Sequence, residues 1–216
     1  MPPQGIMGIE ERKEREKRMR RKQIMDAAKK VFASKGFGGA TMESIAEEAE
    51  FSPATIYLYF KSKDDLFATL NLTMLRDLIR RVEQVRDKSL DPEKKIKALA
   101  KALYDVYLLD PLNVVNVLRY QSKERLQNLS PELSKQISAY TRKYMDTVAE
   151  IFEKGVQSGD FVDRNPAAFA DIVWSLFSGL VLWEDTKQGF GSGRDLLRPT
   201  LEMALELIDR GIKTSE

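Results

Sequence analysis

The sequence predicts an all-α fold, and three observations carry that prediction. Apolar residues recur three and four apart along most of the chain, the repeat of a half-buried helix. No stretch alternates apolar and polar residues as a half-buried strand would. Helix starts are marked again and again: Ser52-Pro53, Asp91-Pro92, Ser130-Pro131 and Asn165-Pro166 each set a capping side chain ahead of a proline whose missing N–H costs nothing there. About nine helices are expected, in a three-helix head and a larger helical body, with no internal repeat and no coiled-coil heptads.

Residues 1–9 carry Pro and Gly without periodicity and read as irregular; the first twenty residues together are expected to form a flexible, charged arm. Residues 10–22 hold eight Lys/Arg and four Glu, a local excess of four positive charges. They read either as a solvated helix extension or as an arm that meets a nucleic-acid groove through Arg18, Arg20, Arg21 and Lys22. Ile24, Ala27, Ala28, Val31 and Phe32 then form one apolar face, and Gly36 stops that helix. Thr41 caps a short helix with Met42, Ile45, Ala46 and Ala49 inward; Ser52 caps another with Ile56 and Phe60 inward. Two short helices around a tight turn make a helix-turn-helix, so residues 21–61 are read as a DNA-binding domain.

The second of these helices offers Ser52, Ala54, Thr55, Tyr57 and Tyr59, with no acid among them. Small residues permit close approach to a major groove, hydroxyls suit phosphate oxygens, and apolar surface suits thymine methyls. The run Thr55-Ile56-Tyr57-Leu58-Tyr59-Phe60-Lys61-Ser62-Lys63, with Ile45-Ala46 upstream and Leu66 downstream, resembles the DNA-binding signature of the tetracycline-repressor (TetR) family. The resemblance covers residues 21–70 closely and is only architectural beyond. One departure is Glu50, where that family has Gly in the turn; either the turn is reshaped or Glu50 is held at positive φ with some strain.

Composition narrows the alternatives. The chain has 216 residues, no Cys and no His, which excludes disulfides, thiol nucleophiles, Ser-His-Asp triads and histidine zinc sites. Phosphate-cradling glycine strings are also missing, and no cofactor or metal is called for; an enzyme is not expected. No run of 18 apolar residues indicates a membrane span, and a cytoplasmic protein with no membrane partner is expected. The net charge is only +2, so any DNA-binding face must be a local basic patch.

Residues 62–216 are read as the body. A helix without Gly or Pro runs over 62–86, started by Ser62 with Asp65 three residues on, and others follow over 92–109, 112–128, 131–157 and 166–188. The last runs to about residue 212, with Pro199 at its regular start or at a kink. The helix over 166–188 is apolar around most of its girth, so it is buried on two sides.

The resemblance implies a ligand-responsive repressor that binds a near-palindromic operator as a homodimer. Position by position, it implies phosphate contacts from Thr41, Thr55, Tyr59 and Lys63 and base contacts from Ser52, Ala54 and Tyr57. It implies a dimer built on the last two helices, for which Trp174, Phe177, Leu180, Val181, Trp183, Leu201, Leu205 and Ile208 supply the apolar surface; the alternative is that they fill the body's own core. It also implies an effector pocket inside the body, where Met74, Leu78, Leu103, Tyr104, Tyr107, Leu118, Arg119, Tyr120, Tyr140 and Tyr144 are available. An apolar cavity with phenols suits a small lipophilic effector with a polar end, and similarity to the acyl-CoA-responsive branch makes an acyl thioester the first expectation. The rival classes are an enzyme, a helical protein-binding scaffold, and a regulator of an efflux gene responding to a xenobiotic.

Overall fold

The computed structural model describes residues 8–120, 129–191 and 195–214. Nine helices and no named strand occur among these residues: α1 Ile9–Gly39, α2 Met42–Glu48, α3 Pro53–Tyr57, α4 Lys63–Asp87, α5 Pro92–Leu109, α6 Pro111–Tyr120, α7 Pro131–Gln157, α8 Pro166–Gly189 and α9 Leu197–Ile212. The expected helical stretch over 121–128 and most of the expected irregular stretch over 1–9 lie outside the described residues. The chain divides into two compact units, Met1–Phe67 and Ala68–Glu216.

In the first unit, Ile24, Ala28, Phe32, Ile45, Ala46 and Ile56 are buried together with Phe37, Phe60 and Phe67. Phe32, Phe37 and Phe67 form a ring triad with centroids 5.4, 5.5 and 6.2 Å apart. The expected flexible arm is helical from Ile9 onward, with residues 9–20 exposed. Its Glu, Lys and Arg are good helix formers, and Glu10 and Glu11 in the first turn complement the helix dipole. Gly36, at φ 69°, breaks the regular helix where the sequence places its stop.

In the second unit, α7 packs on α8, α9 on α5 and α8, and α6 on α5 and α8. Its core gathers Leu78, Val82, Leu99, Leu103, Val148, Phe152, Phe169, Val173, Phe177 and Val181 with Leu197, Leu201 and Leu205. Phe152 stacks between Phe169 at 4.5 Å and Phe161 at 5.7 Å. Gly155 makes that stack possible, since a Cβ there would lie 2.1 Å from the Phe161 ring. Asn165 caps α8 by accepting from the N–H groups of Ala167 and Ala168 at 2.9 and 3.1 Å. Pro199 sits in the first turn of α9, where its N–H is not missed, so it does not kink the helix. By length and composition α8 is apolar enough to cross a membrane, although the sequence reading found no such span. Its inward side chains are built into the body's core instead.

Candidate nucleic-acid interface and ligand cavity

The turn between α2 and α3 closes as a Schellman motif. Phe51 N–H donates to Ala46 O at 2.9 Å and Glu50 N–H to Glu47 O at 3.1 Å. Glu50 occupies the left-handed position at φ 58°, which a glycine would hold without a Cβ penalty. The family's turn is therefore kept, and Glu50 carries the strain.

Capping side chains then aim α3. Thr41 Oγ1 accepts from Ser44 N–H at 3.1 Å, and Ser44 Oγ accepts in return from Thr41 N–H at 3.1 Å. Ser52 Oγ accepts from Thr55 N–H at 3.2 Å and bonds the Thr55 hydroxyl at 2.9 Å. Ile56 anchors the helix inward, while Ser52, Ala54 and Tyr57 are exposed and Thr55 is half-buried. The helix is shorter than the sequence suggests, ending at Tyr57. Tyr59 therefore lies in the turn beyond it, half-buried, with its N–H on Ile56 O at 2.9 Å. Leu58, which the sequence reading passed over, stands 82% exposed at the end of α3.

The basic groups need correction. Lys63 is not a free phosphate cation: its ammonium donates to Phe37 O at 2.7 Å and Ala40 O at 2.8 Å and lies 4.5 Å from the centre of the Phe37 ring. It satisfies carbonyls at the end of α1. Lys61 beside it is exposed and takes part in no ion pair among the described residues. Of the arm cations, Arg21 packs over Phe60 at 4.3 Å, Arg20 pairs with Glu16, and Lys22 pairs with Asp26 at 2.6 Å. Arg18 takes part in no ion pair among the described residues, nor do Arg12, Lys13, Arg15 and Lys17, all exposed. Lys13, Glu16, Lys17 and Arg20, one helix face of α1, line an open groove with Leu58 and Tyr59.

The body holds a cavity of about 270 Å³ lined by Asn71, Met74, Leu75, Thr141, Tyr144, Met145, Asp171 and Trp174. Among the described residues, Met74 and Tyr144 are the expected ligand residues that the structure brings to it. Leu78 and Leu103 are fully buried in the core, and Leu118 and Tyr140 pack against that core. Tyr104 and Tyr107 stack on each other at 6.3 Å. Burial pushes the Tyr107 phenol up, and Asp195, Glu184 and Asp185 push it further. Arg119 pairs with Asp185. The side chain of Tyr120 lies outside the described residues. Trp174, expected at an interface, lines the cavity instead and meets Tyr144 edge-on at 5.5 Å. Asn71, Thr141, Met145 and Asp171 were missed. Asn71 alone left a signal, since it shares the inward phase of Leu75, Leu78 and Val82 on α4.

The expected dimer residues also divide. Phe177, Val181, Leu201 and Leu205 are buried in the protomer's own core and are not available to a partner. Trp183 is 56% exposed, and Leu180 and Ile208 are half-buried. Ile172 on α8 and Met203 and Leu207 on α9 join them as exposed apolar groups. The reason is periodic: a helix apolar on two sides gives its own core one set of positions and leaves the other set outside.

Comparison with known proteins agrees with this architecture. Residues 24–70 match the family described as bacterial regulatory proteins, tetR family, and residues 89–208 match the tetracyclin repressor-like C-terminal domain. The fatty acid metabolism regulator protein of Bacillus subtilis is 30% identical over 147 residues, covering 68% of this chain and 73% of that protein. The crystal structure of the regulator PfmR from Thermus thermophilus superposes with a TM-score of 0.75 at 21% identity, covering 88% of this chain and 99% of that one. The fatty acid degradation regulator FadR from Bacillus halodurans gives 0.69 at 23% identity, covering 86% and 94%. With a matched head, a matched body and a relative 30% identical over about two thirds of the chain, the chain belongs to the TetR family of bacterial regulatory proteins.

Proposed function

We propose that the protein is a cytoplasmic transcriptional repressor that binds a near-palindromic operator as a homodimer and releases it when a small lipophilic effector enters the body. The observation that carries the reading is the α2–α3 pair, in which a closed turn and two capped helices leave Ser52, Ala54 and Tyr57 standing clear of a finished core. In this reading residues 21–61 bind DNA and residues 62–216 bind effector and partner. Ser52, Ala54 and Tyr57 face bases; Thr41, Thr55 and Tyr59 meet phosphates, joined by Lys61 and the exposed cations of α1 in place of Lys63. The dimer rests on Leu180, Trp183 and Ile208 with Ile172, Met203 and Leu207, an apolar surface that a lone protomer leaves in water. Two heads on a two-fold axis then read half-sites roughly 34–36 Å apart.

The effector side rests on the cavity and on two relatives named for fatty acid metabolism, which support a lipophilic molecule and keep an acyl compound in view. Coupling is reciprocal: whatever factor the effector takes from operator affinity, the operator takes from effector affinity. No reaction is assigned to the chain. The test is selection of bound sequences from random duplex DNA. Enrichment of a near-palindrome is expected. Tyr57→Ala changes the enriched sequence, whereas Tyr59→Phe keeps it and weakens binding evenly. Absence of any enriched sequence overturns the reading.

A further inference from the structure

The cavity is small and its chemistry is one-sided. Its volume of about 270 Å³ lies under the usual range of roughly 300–1,000 Å³ for ligand pockets.

Two residues of its lining carry buried polar atoms with no hydrogen-bond partner among the described residues. Asn71 is 1% exposed, and both its amide nitrogen and its amide oxygen are unsatisfied. Tyr144 is also 1% exposed, and its hydroxyl is unsatisfied. Elsewhere in the same unit the amide nitrogen of Asn113 finds the Leu70 carbonyl at 3.2 Å, although its amide oxygen also has no partner among the described residues; in Asn71 both amide atoms lack one. Buried polar groups in folded proteins are otherwise almost always bonded, and an unmet group inside a cavity calls for an occupant. Burial pushes the Tyr144 phenol up, so it keeps its proton and offers an O–H donor.

The lining also states what the occupant lacks. No lysine or arginine is in it, while Asp171 is. A carboxylate or an ammonium brought down to Asn71 and Tyr144 would lose its water and meet no buried charge of opposite sign, since no Lys or Arg lines the cavity and Asp171 is exposed. A plain hydrocarbon would fill the apolar walls of Met74, Leu75, Met145 and Trp174 and leave Asn71 and Tyr144 unmet.

We infer that this cavity takes a compact, uncharged molecule with an apolar body and one carbonyl or hydroxyl group, which Tyr144 and Asn71 hold by hydrogen bonds. The inference rests on reading the cavity as the effector site and narrows that reading from lipophilic molecules at large to neutral, polar-ended ones.

Four probes of matched size separate the possibilities by titration calorimetry: propiophenone, propylbenzene, 3-phenylpropanoate and 3-phenylpropylamine. The ketone is expected to bind about tenfold or more tightly than the hydrocarbon and both ions. Tyr144→Phe and Asn71→Leu, near in size and each removing an unmet polar group, are expected to erase that preference while hydrocarbon binding stays or rises. Circular dichroism checks that both variants fold; should one fail, the other decides alone. Tighter binding of either ion, equal binding of hydrocarbon and ketone, a preference unchanged in both variants, or no binding of any probe overturns the inference. Operator affinity is measured alongside. If the ketone binds and DNA is not released, the cavity chemistry stands and the effector reading falls. If an acyl thioester releases DNA without the ketone binding, the reverse holds.

Discussion

The head and the body offer the recognition groups proposed for them in opposite places. In the head, Ser52, Ala54 and Tyr57 stand outside a core that Ile45, Ile56 and the Phe32–Phe37–Phe67 triad complete without them. In the body, Asn71 and Tyr144 lie inside the core, among the side chains that hold the unit together. A recognition group outside the core can change with little loss of stability. One inside cannot change shape without disturbing its neighbours, because interiors are close-packed. The head is therefore free to vary its reading surface, while the body varies its ligand only by small exchanges of polarity at constant volume.

The sharpest test of that contrast sets two aromatic positions of α8 against each other. Phe177→Ala empties a fully buried site and is expected to cost about 3–5 kcal/mol of stability. Trp183→Glu changes an exposed site, so protomer stability should move by no more than about 0.5 kcal/mol. The dimer should nevertheless dissociate at micromolar concentration. Urea unfolding and sedimentation read the two effects; a dimeric Trp183→Glu protein would place the interface elsewhere.

Within the head, Lys63 is expected to behave as a core group. Lys63→Met removes two bonds from an ammonium to carbonyls, so about 1–3 kcal/mol of stability should be lost. The slope of log affinity for DNA against log salt should stay unchanged. A slope shallower by about 0.9 would instead make Lys63 a phosphate contact.

The smallest effect is a gain. Glu50→Gly relieves the left-handed residue at φ 58°, worth about 1–2 kcal/mol. Glycine's extra freedom in the unfolded chain returns part of that, leaving about 0.5–1 kcal/mol of added stability. A thermal midpoint that stays put or falls would show that Glu50 makes a compensating contact.

What could be read from the sequence follows the same division. The head was legible because its determinants are local: Thr41, Ser52 and Ser62 mark starts, Gly36 marks a stop, and apolar phase marks the core. The carbonyl partners of Lys63 were not foreseen because they are 23 and 26 residues away, and a lysine's direction has no local signature. In the body, the helices among the described residues were legible from period and proline. Phe177 and Val181 were misassigned because apolar phase does not tell a protomer's own core from a partner's. The cavity was the least legible, since it exists where side chains from α4, α7 and α8 fail to meet. That is a property of packing, which no single segment records.

The chain has two tryptophans, and they sit in unlike surroundings. Trp174 borders the cavity with its ring against Tyr144, and Trp183 is largely in water on the face proposed for the partner. The molecule therefore carries two built-in optical reporters with separate duties. Emission from a Trp183→Phe protein follows occupancy of the cavity. Emission from a Trp174→Phe protein follows assembly, shifting to the blue as Trp183 leaves solvent. Recorded in parallel during a titration, the two signals give the order in which ligand entry and subunit rearrangement occur, without any attached dye.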